Sequence, residues 1–354
     1  MPENPYRGLP SHHFWRQSVA AIPPFAIDPL VRFPFELAQD HKVAAAGSCF
    51  AQHISQALQR HGFNYFMTEP PPAGMSREAA QADNYGVYSA RYGNIYTARQ
   101  LRQLIERAFG EFSPDLPEWR DRSGHFVDPF RPQIQPSGFA STDAMRSARE
   151  AHLGQVRRLV EELDVLVFTL GLTEGWVHIA DGAVIPLAPG VAGGTFDESV
   201  YKFVNFSTAE IVQDLCASID LIRKVNPNAR FIFTVSPVPL IATYRDQHVL
   251  VSNTYSKASL RVAAEEISLA RPGVAYFPSY EIITSPATSR NYYLDDLRSV
   301  SLLGVDHVMR VFFAHCVAGS KKTAASPPAL PSELREEIRN VGQIVCDEEA
   351  IVKL

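Results

Sequence analysis

The chain alternates between short apolar runs and longer amphipathic stretches. Four of the runs carry the β-branched, aromatic and small residues typical of strands that are buried on both faces of a parallel sheet. These strands are predicted to begin near Val43, Val165, Arg230 and Val274. Since helical patterns separate the runs, the order of elements predicts an α/β fold with a doubly wound, three-layer parallel sheet.

Between the runs, apolar residues recur at the spacing of amphipathic helices. One helix is predicted after Phe50, and others span Ala98–Phe109, Ala144–Leu163, Ser207–Val225 and Asn253–Leu269. The helix from Ser207 opens with a capping box, because Glu210 stands three residues later. Downstream of Trp176, the pair Asp181-Gly182 predicts the turn of a β-hairpin.

Three regions are predicted from these patterns. Residues 1–40 are rich in proline and aromatic residues, and we expect an N-terminal arm that wraps the main domain. Residues 41–318 form the α/β domain. Residues 319–354 begin with a flexible linker and end with a C-terminal helical tail over Glu333–Val341, which we expect to pack on the domain or on a second copy in a homo-oligomer.

Composition narrows the functional classes. The 354 residues are 46% apolar and 20% charged, which is typical of globular proteins, and a net charge of −5 gives no basic surface for nucleic acid. No apolar run approaches the roughly 20 residues that span a bilayer, and the N-terminus lacks a signal pattern. The four cysteines have no metal-ligand spacing, and the adjacent His12 and His13 are poorly placed to share a metal. We therefore expect a cytoplasmic protein with reduced thiols, no metal and no cofactor.

Ser48 stands between the first strand and the first helix. Gly47 ends the apolar run, and helical spacing begins at Phe50. The N–H groups of a first helical turn lack intrahelical partners, so they favour negative charge at this position. A hydroxyl held here could attack an acyl carbon, and a plain N-cap serine is the alternative.

The run Gly47-Ser48-Cys49-Phe50-Ala51 is letter for letter the signature of the GSCFA family, which resembles the SGNH (GDSL-type) esterases and acyltransferases. In that superfamily the first sequence block carries the nucleophilic serine, so the resemblance implies this role for Ser48. Further similarity, in pieces, runs from about Val43 to Phe313.

The resemblance also implies an oxyanion hole. A glycine N–H comes from the second block, where Gly93 is our choice and Gly86 its rival, and the N–H of Ser48 is expected to contribute. The third block normally supplies an asparagine, but Thr173 stands in its place, next to Glu174 in the same predicted substrate loop. The hydroxyl of Thr173 or the side chain of Asn94 is therefore expected to donate instead.

The general base is the weakest part of the resemblance. The superfamily pattern Asp-x-x-His aligns Asp296 with the expected aspartate, but Ser299 occupies the position of the histidine. The nearest histidine is His307. If Leu302–Gly304 is a loop, His307 would lie in the first turn of the next helix and could face Ser48; a hydrogen-bonded structural histidine is the alternative.

The implied function is ester hydrolysis or O-acyl transfer on a carbohydrate or other small-molecule ester, with Ser48, His307 and Asp296 as a catalytic triad. Two alternatives stay open. In one, a degenerate fold binds a glycan or a protein without turnover; in the other, Cys49 is the nucleophile, its pKa lowered at the helix N-terminus. Arg131 could clamp an anionic substrate group or tie down its own loop.

Overall fold

The computed structural model describes residues 4–318, 344 and 346–352. The predicted linker and the predicted helix Glu333–Val341 lie outside these residues. Contacts divide the chain into two compact units, each described here by itself. The first comprises residues 38–276 and 344–354, and the second comprises residues 1–37 and 277–343.

The first unit contains six helices and nine strands among its described residues. In chain order they are β1 (Val43–Gly47), α1 (Ala51–Arg60), α2 (Arg77–Ala82), α3 (Ala98–Ala108), β2 (Trp119–Arg120), β3 (Phe126–Val127), α4 (Thr142–Glu162), β4 (Val165–Leu170), β5 (Glu174–His178), β6 (Val184–Ile185), β7 (Tyr201–Asn205), α5 (Thr208–Val225), β8 (Arg230–Val235), α6 (Val249–Ala270) and β9 (Val274–Tyr276). A short helical turn, Asp347–Val352, follows near the chain end.

The central sheet has the order β1-β4-β8-β9, and all its strand pairs are parallel. On the edge of β1 opposite β4, Val43 pairs in parallel with Tyr65, where the chain returns after α1. Successive connections therefore run in opposite directions from β1. Because parallel crossovers are right-handed, this reversal places α1 on one face of the central sheet and the helices that lead to β4, β8 and β9 on the other face. The doubly wound parallel α/β fold predicted from the sequence is confirmed.

The reversal of direction between β1 and β4 has a functional consequence. In open α/β sheets, ligands bind outside the carboxyl ends of the strands, where the strand order changes direction. Gly47 ends β1 beside Thr169 of β4, and Ser48 is the next residue. The fold thus places Ser48 at its topological switch point.

Local sequence signals explain where the helices begin. Both α3 and α5 start with complete capping boxes, formed by Thr97 with Gln100 and by Ser207 with Glu210. The predicted hairpin also forms, since β5 pairs with β6 across the turn at Asp181. With β7 they make a small antiparallel sheet, order β6-β5-β7, that continues from the carboxyl end of β4.

The second unit contains α7 (Ser279–Thr284), α8 (Ser289–Tyr292) and α9 (Leu302–Cys316) among its described residues. The N-terminal segment packs on α9: the guanidinium of Arg310 donates to the carbonyl of Phe25, and the N–H of Leu37 donates to the carbonyl of Cys316. Helix α9 begins at Leu302, capped by the hydroxyl of Ser301, so the loop considered at Leu302–Gly304 does not form.

Candidate functional site

Gly47 and Ser48 form the turn that links β1 to α1. Gly47 has φ +132°, and a Cβ there would lie 2.3 Å from the carbonyl oxygen of Thr169. Only glycine allows β1 to lie this close to β4 at its end. The N–H of Ser48 then donates to the carbonyl of Thr169 at 3.1 Å, which extends the sheet ladder by one residue.

The hydroxyl of Ser48 is the chemically notable group of this turn. Ser48 is 3% exposed, and its Oγ is buried with no hydrogen-bond partner among the described residues. Leaving a buried hydroxyl unsatisfied costs about 1–3 kcal/mol, so native proteins seldom keep one without a reason. The hydroxyl of an N-cap serine would accept from a backbone N–H of the first helical turn, whereas no side-chain cap is found on α1.

A second loop closes over the same strand ends. The N–H of Ile95 donates to the carbonyl of Gly47 at 2.8 Å, and the carbonyl of Tyr96 accepts from the N–H groups of Gly171 and Leu172. A Cβ on Gly171 would lie 3.0 Å from the Cβ of Ser48. Three loops are therefore held together around Ser48: the loop after β1, the loop before α3 and the loop after β4.

A small cavity opens beside Ser48. Its walls include Tyr96, Gly171, Ser236 and Lys257. Lys257 is 2% exposed, and its side-chain nitrogen Nζ donates to the carbonyl of Gly171 at 2.6 Å. Among the described residues that line this cavity, Lys257 is the one basic side chain. The structure thus brings a serine hydroxyl and a lysine to the same small space.

Two of the predicted oxyanion donors are engaged elsewhere. The hydroxyl of Thr173 donates to the Asn205 side chain at 2.5 Å, and the N–H of Thr173 donates to Ser256. The N–H of Ser48 is taken by Thr169. In this arrangement neither group faces an acyl oxygen, because each satisfies a buried partner of its own. Gly93 is buried with φ +73° in the loop before α3, whereas its rival Gly86 is exposed.

Asn94 already binds a carboxylate. Its side chain and its backbone N–H both hydrogen-bond the carboxyl group of Asp347, in the turn near the chain end. Burial raises the pKa of Asp347 to about 7, and neighbouring Glu348 adds to the rise while Asn94 opposes it. Glu348 in turn lines the cavity of Ser48. Asn94 therefore donates to a buried carboxyl group, which fits the role of an oxyanion donor considered for it.

A larger pocket of about 210 Å³ adjoins the Ser48 cavity, since Leu172, Leu240 and Glu348 line both. Its wall carries Trp176 and Tyr244, whose ring centroids lie 4.8 Å apart. Glu174, predicted as a substrate residue, also lines this pocket and accepts from the hydroxyl of Thr243. Burial raises the pKa of Glu174 above its usual range, although Thr243 opposes the rise.

His307 and Asp296 belong to the second unit. His307 is 1% exposed, with Nδ1 bonded to the hydroxyl of Tyr292 at 2.7 Å and Nε2 bonded to the carbonyl of Ile27 at 2.8 Å. Asp296 accepts from the N–H and the hydroxyl of Ser299, the residue in the expected histidine position. With both ring nitrogens engaged, His307 has the contacts of a structural histidine, and the proposed triad stays a prediction.

The environment of His307 predicts a pH-dependent stability. Burial, aided by Arg310, lowers the pKa of His307 to about 4, so the unfolded chain binds a proton at higher pH than the folded chain does. The stabilising contribution is therefore complete above the unfolded value near 6.5 and is lost as the pH falls towards 4. Between pH 7 and pH 5 the intact protein should lose about 2 kcal/mol through this residue alone.

Denaturant unfolding at the two pH values checks this expectation. His307→Gln should flatten the pH dependence, and the exposed His13→Gln should leave it unchanged. If the free energy of unfolding changes equally between the two pH values in all three proteins, His307 is protonated in the folded state.

Sequence reasoning missed Lys257 as part of the site, although the signal was present. Lys257, Leu260, Ala264 and Ile267 occur at helical spacing, and all four are buried on the inner face of α6. A lysine in an apolar stripe is unusual unless it is paired or functional. The role of Asp347 could not have been found this way, because the contact depends on the tertiary position of the chain end.

Comparison with known proteins identifies the family. The GSCFA family profile matches residues 42–312, which includes the Ser48 turn, Asn94 and Lys257. The chain belongs to the GSCFA family. No curated protein gives a significant match.

One solved structure with a detectable likeness is a carbohydrate esterase family 2 enzyme with a carbohydrate-binding domain from Corynascus thermopiles (Myceliophthora fergusii). It is 12% identical, with a TM-score of 0.29, and the match covers 80% of this chain and 68% of that one. A score this low supports no conclusion about activity. Within the part of the chain that the structure describes, no helix is long and apolar enough to span a bilayer, and no cluster of three or more acidic, histidine or cysteine side chains could hold a metal.

Proposed function

We propose that the protein is an esterase or O-acyltransferase that uses Ser48 as its nucleophile. The observation that carries the proposal is the buried, unpartnered Oγ of Ser48 at the switch point of the sheet, next to a cavity. Its oxygen would attack the acyl carbon, lose its proton, and expel the alcohol with a proton. Water or an acceptor hydroxyl would then take the acyl group from Ser48.

Lys257, in its neutral amine form, is the residue that we propose to receive the proton of Ser48. It shares the cavity with the serine, while the hydrogen bonds of His307 lie within the second unit. Serine–lysine pairs carry out acyl transfer on other folds. The bond from Nζ to the carbonyl of Gly171 fixes the end of the long side chain next to the residue that touches Ser48.

Asn94 is proposed as an oxyanion donor. Its two N–H groups already hold a carboxylate, whose oxygens resemble the oxyanion of a tetrahedral intermediate in charge. The loop of Asn94 is bonded to Gly47 through the N–H of Ile95, so this donor is held close to the nucleophile's turn. Entry of a substrate into this position would require the Asp347 carboxyl group to leave it.

The adjoining pocket favours an ester of a carbohydrate. Trp176 and Tyr244 offer ring faces, Glu174 offers an acceptor for a hydroxyl group, and the pocket of about 210 Å³ is large enough for one sugar residue. The acyl group would then enter the smaller cavity at Ser48.

Substitution of Lys257 tests the proposed proton acceptor. Lys257→Met should lower kcat for p-nitrophenyl acetate and for O-acetylated sugars by about 10²- to 10⁴-fold, with KM little changed. Lys257→Arg keeps the charge and the donor to Gly171 but cannot accept a proton. Recovery of activity in Lys257→Arg would show that Lys257 acts through charge or positioning instead.

A second candidate function is carbohydrate binding without turnover. The observation that favours it is the presence of Ser299 where the superfamily has its histidine, with Asp296 bonded to that serine. A wild-type protein that binds sugars in the aromatic pocket, yet leaves acetyl esters intact, would support this function and remove the first.

A further inference from the structure

A second, small cavity lies in the first unit, and Ser48 is not among the described residues that line it. It is lined by Asn94, Arg107, Arg131 and His152 together with Tyr92 and Phe130. Arg131 is 3% exposed and His152 is 1% exposed. No carboxylate is found among the described residues that line it.

Three nitrogen atoms around this cavity are buried without a hydrogen-bond partner in the described part of the chain. They are Nη2 of Arg107, Nη2 of Arg131 and Nε2 of His152. The rest of each side chain is held in place: Arg131 donates to Asp128 and to the carbonyl of Arg91, and the guanidinium of Arg107 stacks over Phe130 at 3.5 Å. The unpartnered nitrogens therefore belong to rigidly positioned groups.

The charges around the cavity do not balance. The guanidinium groups of Arg107, Arg131 and Arg149 share one carboxylate, Asp128, which Arg131 and Arg149 bond directly. Glu69, on the other side, is bonded by His152 and ion-paired with Arg91. The four guanidinium groups of Arg91, Arg107, Arg131 and Arg149 thus face two carboxylates, Asp128 and Glu69, and a charge excess of two in such a setting is costly unless an anion compensates it.

The protonation of His152 restricts the identity of that anion. Nδ1 of His152 lies 2.7 Å from the carboxylate of Glu69, which can only accept, so Nδ1 carries the ring hydrogen. Burial, reinforced by Arg131, lowers the pKa of His152 to about 4, so the ring is neutral near pH 7. Nε2 therefore presents a lone pair. A fitting ligand needs acceptor oxygens for two guanidinium groups and one O–H donor for Nε2.

We propose that this cavity binds inorganic hydrogen phosphate as the free dianion. The dianion HPO₄²⁻ matches the charge excess of two, and its P–O–H group supplies the donor that sulfate lacks. Its remaining oxygens would accept from Nη2 of Arg107 and of Arg131. The cavity shares Asn94 with the proposed ester chemistry, but the proposed phosphate ligands Arg107, Arg131 and His152 take no part in that chemistry.

Isothermal titration with inorganic phosphate at constant ionic strength near pH 7 tests the site, with sulfate and methyl phosphate as separate titrants. Wild-type protein should bind phosphate saturably and should bind sulfate at least 10-fold more weakly. Methyl phosphate reaches a charge of −2 only by losing its P–O–H proton, so it should bind at least 10-fold more weakly than phosphate, as sulfate does. Comparable binding of methyl phosphate would contradict the proposed hydrogen bond to Nε2 of His152.

Variants on α3 provide the matched comparison. Arg107→Gln should weaken phosphate binding at least 10-fold, whereas Arg102→Gln removes the same charge from a residue that pairs with Glu106 and Asp214, and should bind as the wild type does. His152→Phe should abolish the preference for phosphate over sulfate. Thermal unfolding shows whether each variant is folded. Any one of three results would overturn the proposal: no saturable phosphate binding by wild-type protein, equal binding of sulfate and phosphate, or unchanged phosphate binding in Arg107→Gln.

Discussion

Replacement of Ser48 by alanine is expected to lower ester hydrolysis by at least about 10³-fold while making the protein more stable. The loss of activity follows if Oγ of Ser48 forms the bond to the acyl carbon. The gain in stability follows because Oγ is buried without a hydrogen-bond partner among the described residues. Its removal should therefore raise the free energy of unfolding by about 1 kcal/mol. Steady-state kinetics with p-nitrophenyl acetate and urea unfolding measure the two effects on the same preparation.

A neighbouring serine supplies the control. Ser236 lines the same cavity, but its Oγ accepts from the N–H of Val238, so Ser236→Ala should cost stability and retain substantial activity. Opposite signs of the stability change in the two variants would support the assignment of Ser48 as a strained functional group. Full activity in Ser48→Ala would remove it from the chemistry and direct attention to Cys49, which is buried beside it.

Gly47→Ala is expected to be among the most destabilising single substitutions in the first unit. A Cβ would lie 2.3 Å from the oxygen and 2.7 Å from the nitrogen of Thr169, both backbone atoms of the neighbouring central strand, so neither can move cheaply. The backbone of Gly47 also has φ +132°, a conformation that alanine rarely adopts. We expect a loss of about 4 kcal/mol or more, at the upper end of single-residue effects.

Gly62→Ala is the appropriate control for Gly47→Ala. Gly62 also has positive φ, +72°, but a Cβ there meets no atom within 4 Å. Its cost should be about 1 kcal/mol, from the backbone conformation alone. If the two variants unfold at the same denaturant concentration, the close approach of β1 to β4 is not a major determinant of stability.

The fold was largely predictable because its signals are local. Buried strands such as Val165–Leu170 are continuous apolar runs, and the capping box of Ser207 with Glu210 needs only three residues. The same holds for Gly47-Ser48, whose strand–turn–helix pattern places the serine at a strand end. Once the strand order is known, the switch point follows from general rules of parallel sheets.

The site was only partly predictable, because the partners of polar groups depend on tertiary packing. Thr173 stands at the position expected for an oxyanion donor, but Asn205 from β7 takes its hydroxyl. His307 is the histidine closest in sequence to the expected base, yet Tyr292 and Ile27 engage both its nitrogens. Neither contact follows from spacing along the chain. The unpartnered nitrogens of Arg107 and Arg131 likewise become visible only when their neighbours are in place.

The most direct test of the account is covalent labelling with a fluorophosphonate, followed by mass spectrometric mapping of the modified peptide. Such reagents phosphonylate a serine only when its hydroxyl is activated as a nucleophile. We predict one adduct on wild-type protein, on Ser48, that is lost in Ser48→Ala and strongly slowed in Lys257→Met. An adduct on another residue, or no adduct on folded wild-type protein, would contradict the claim that Ser48 is a catalytic nucleophile.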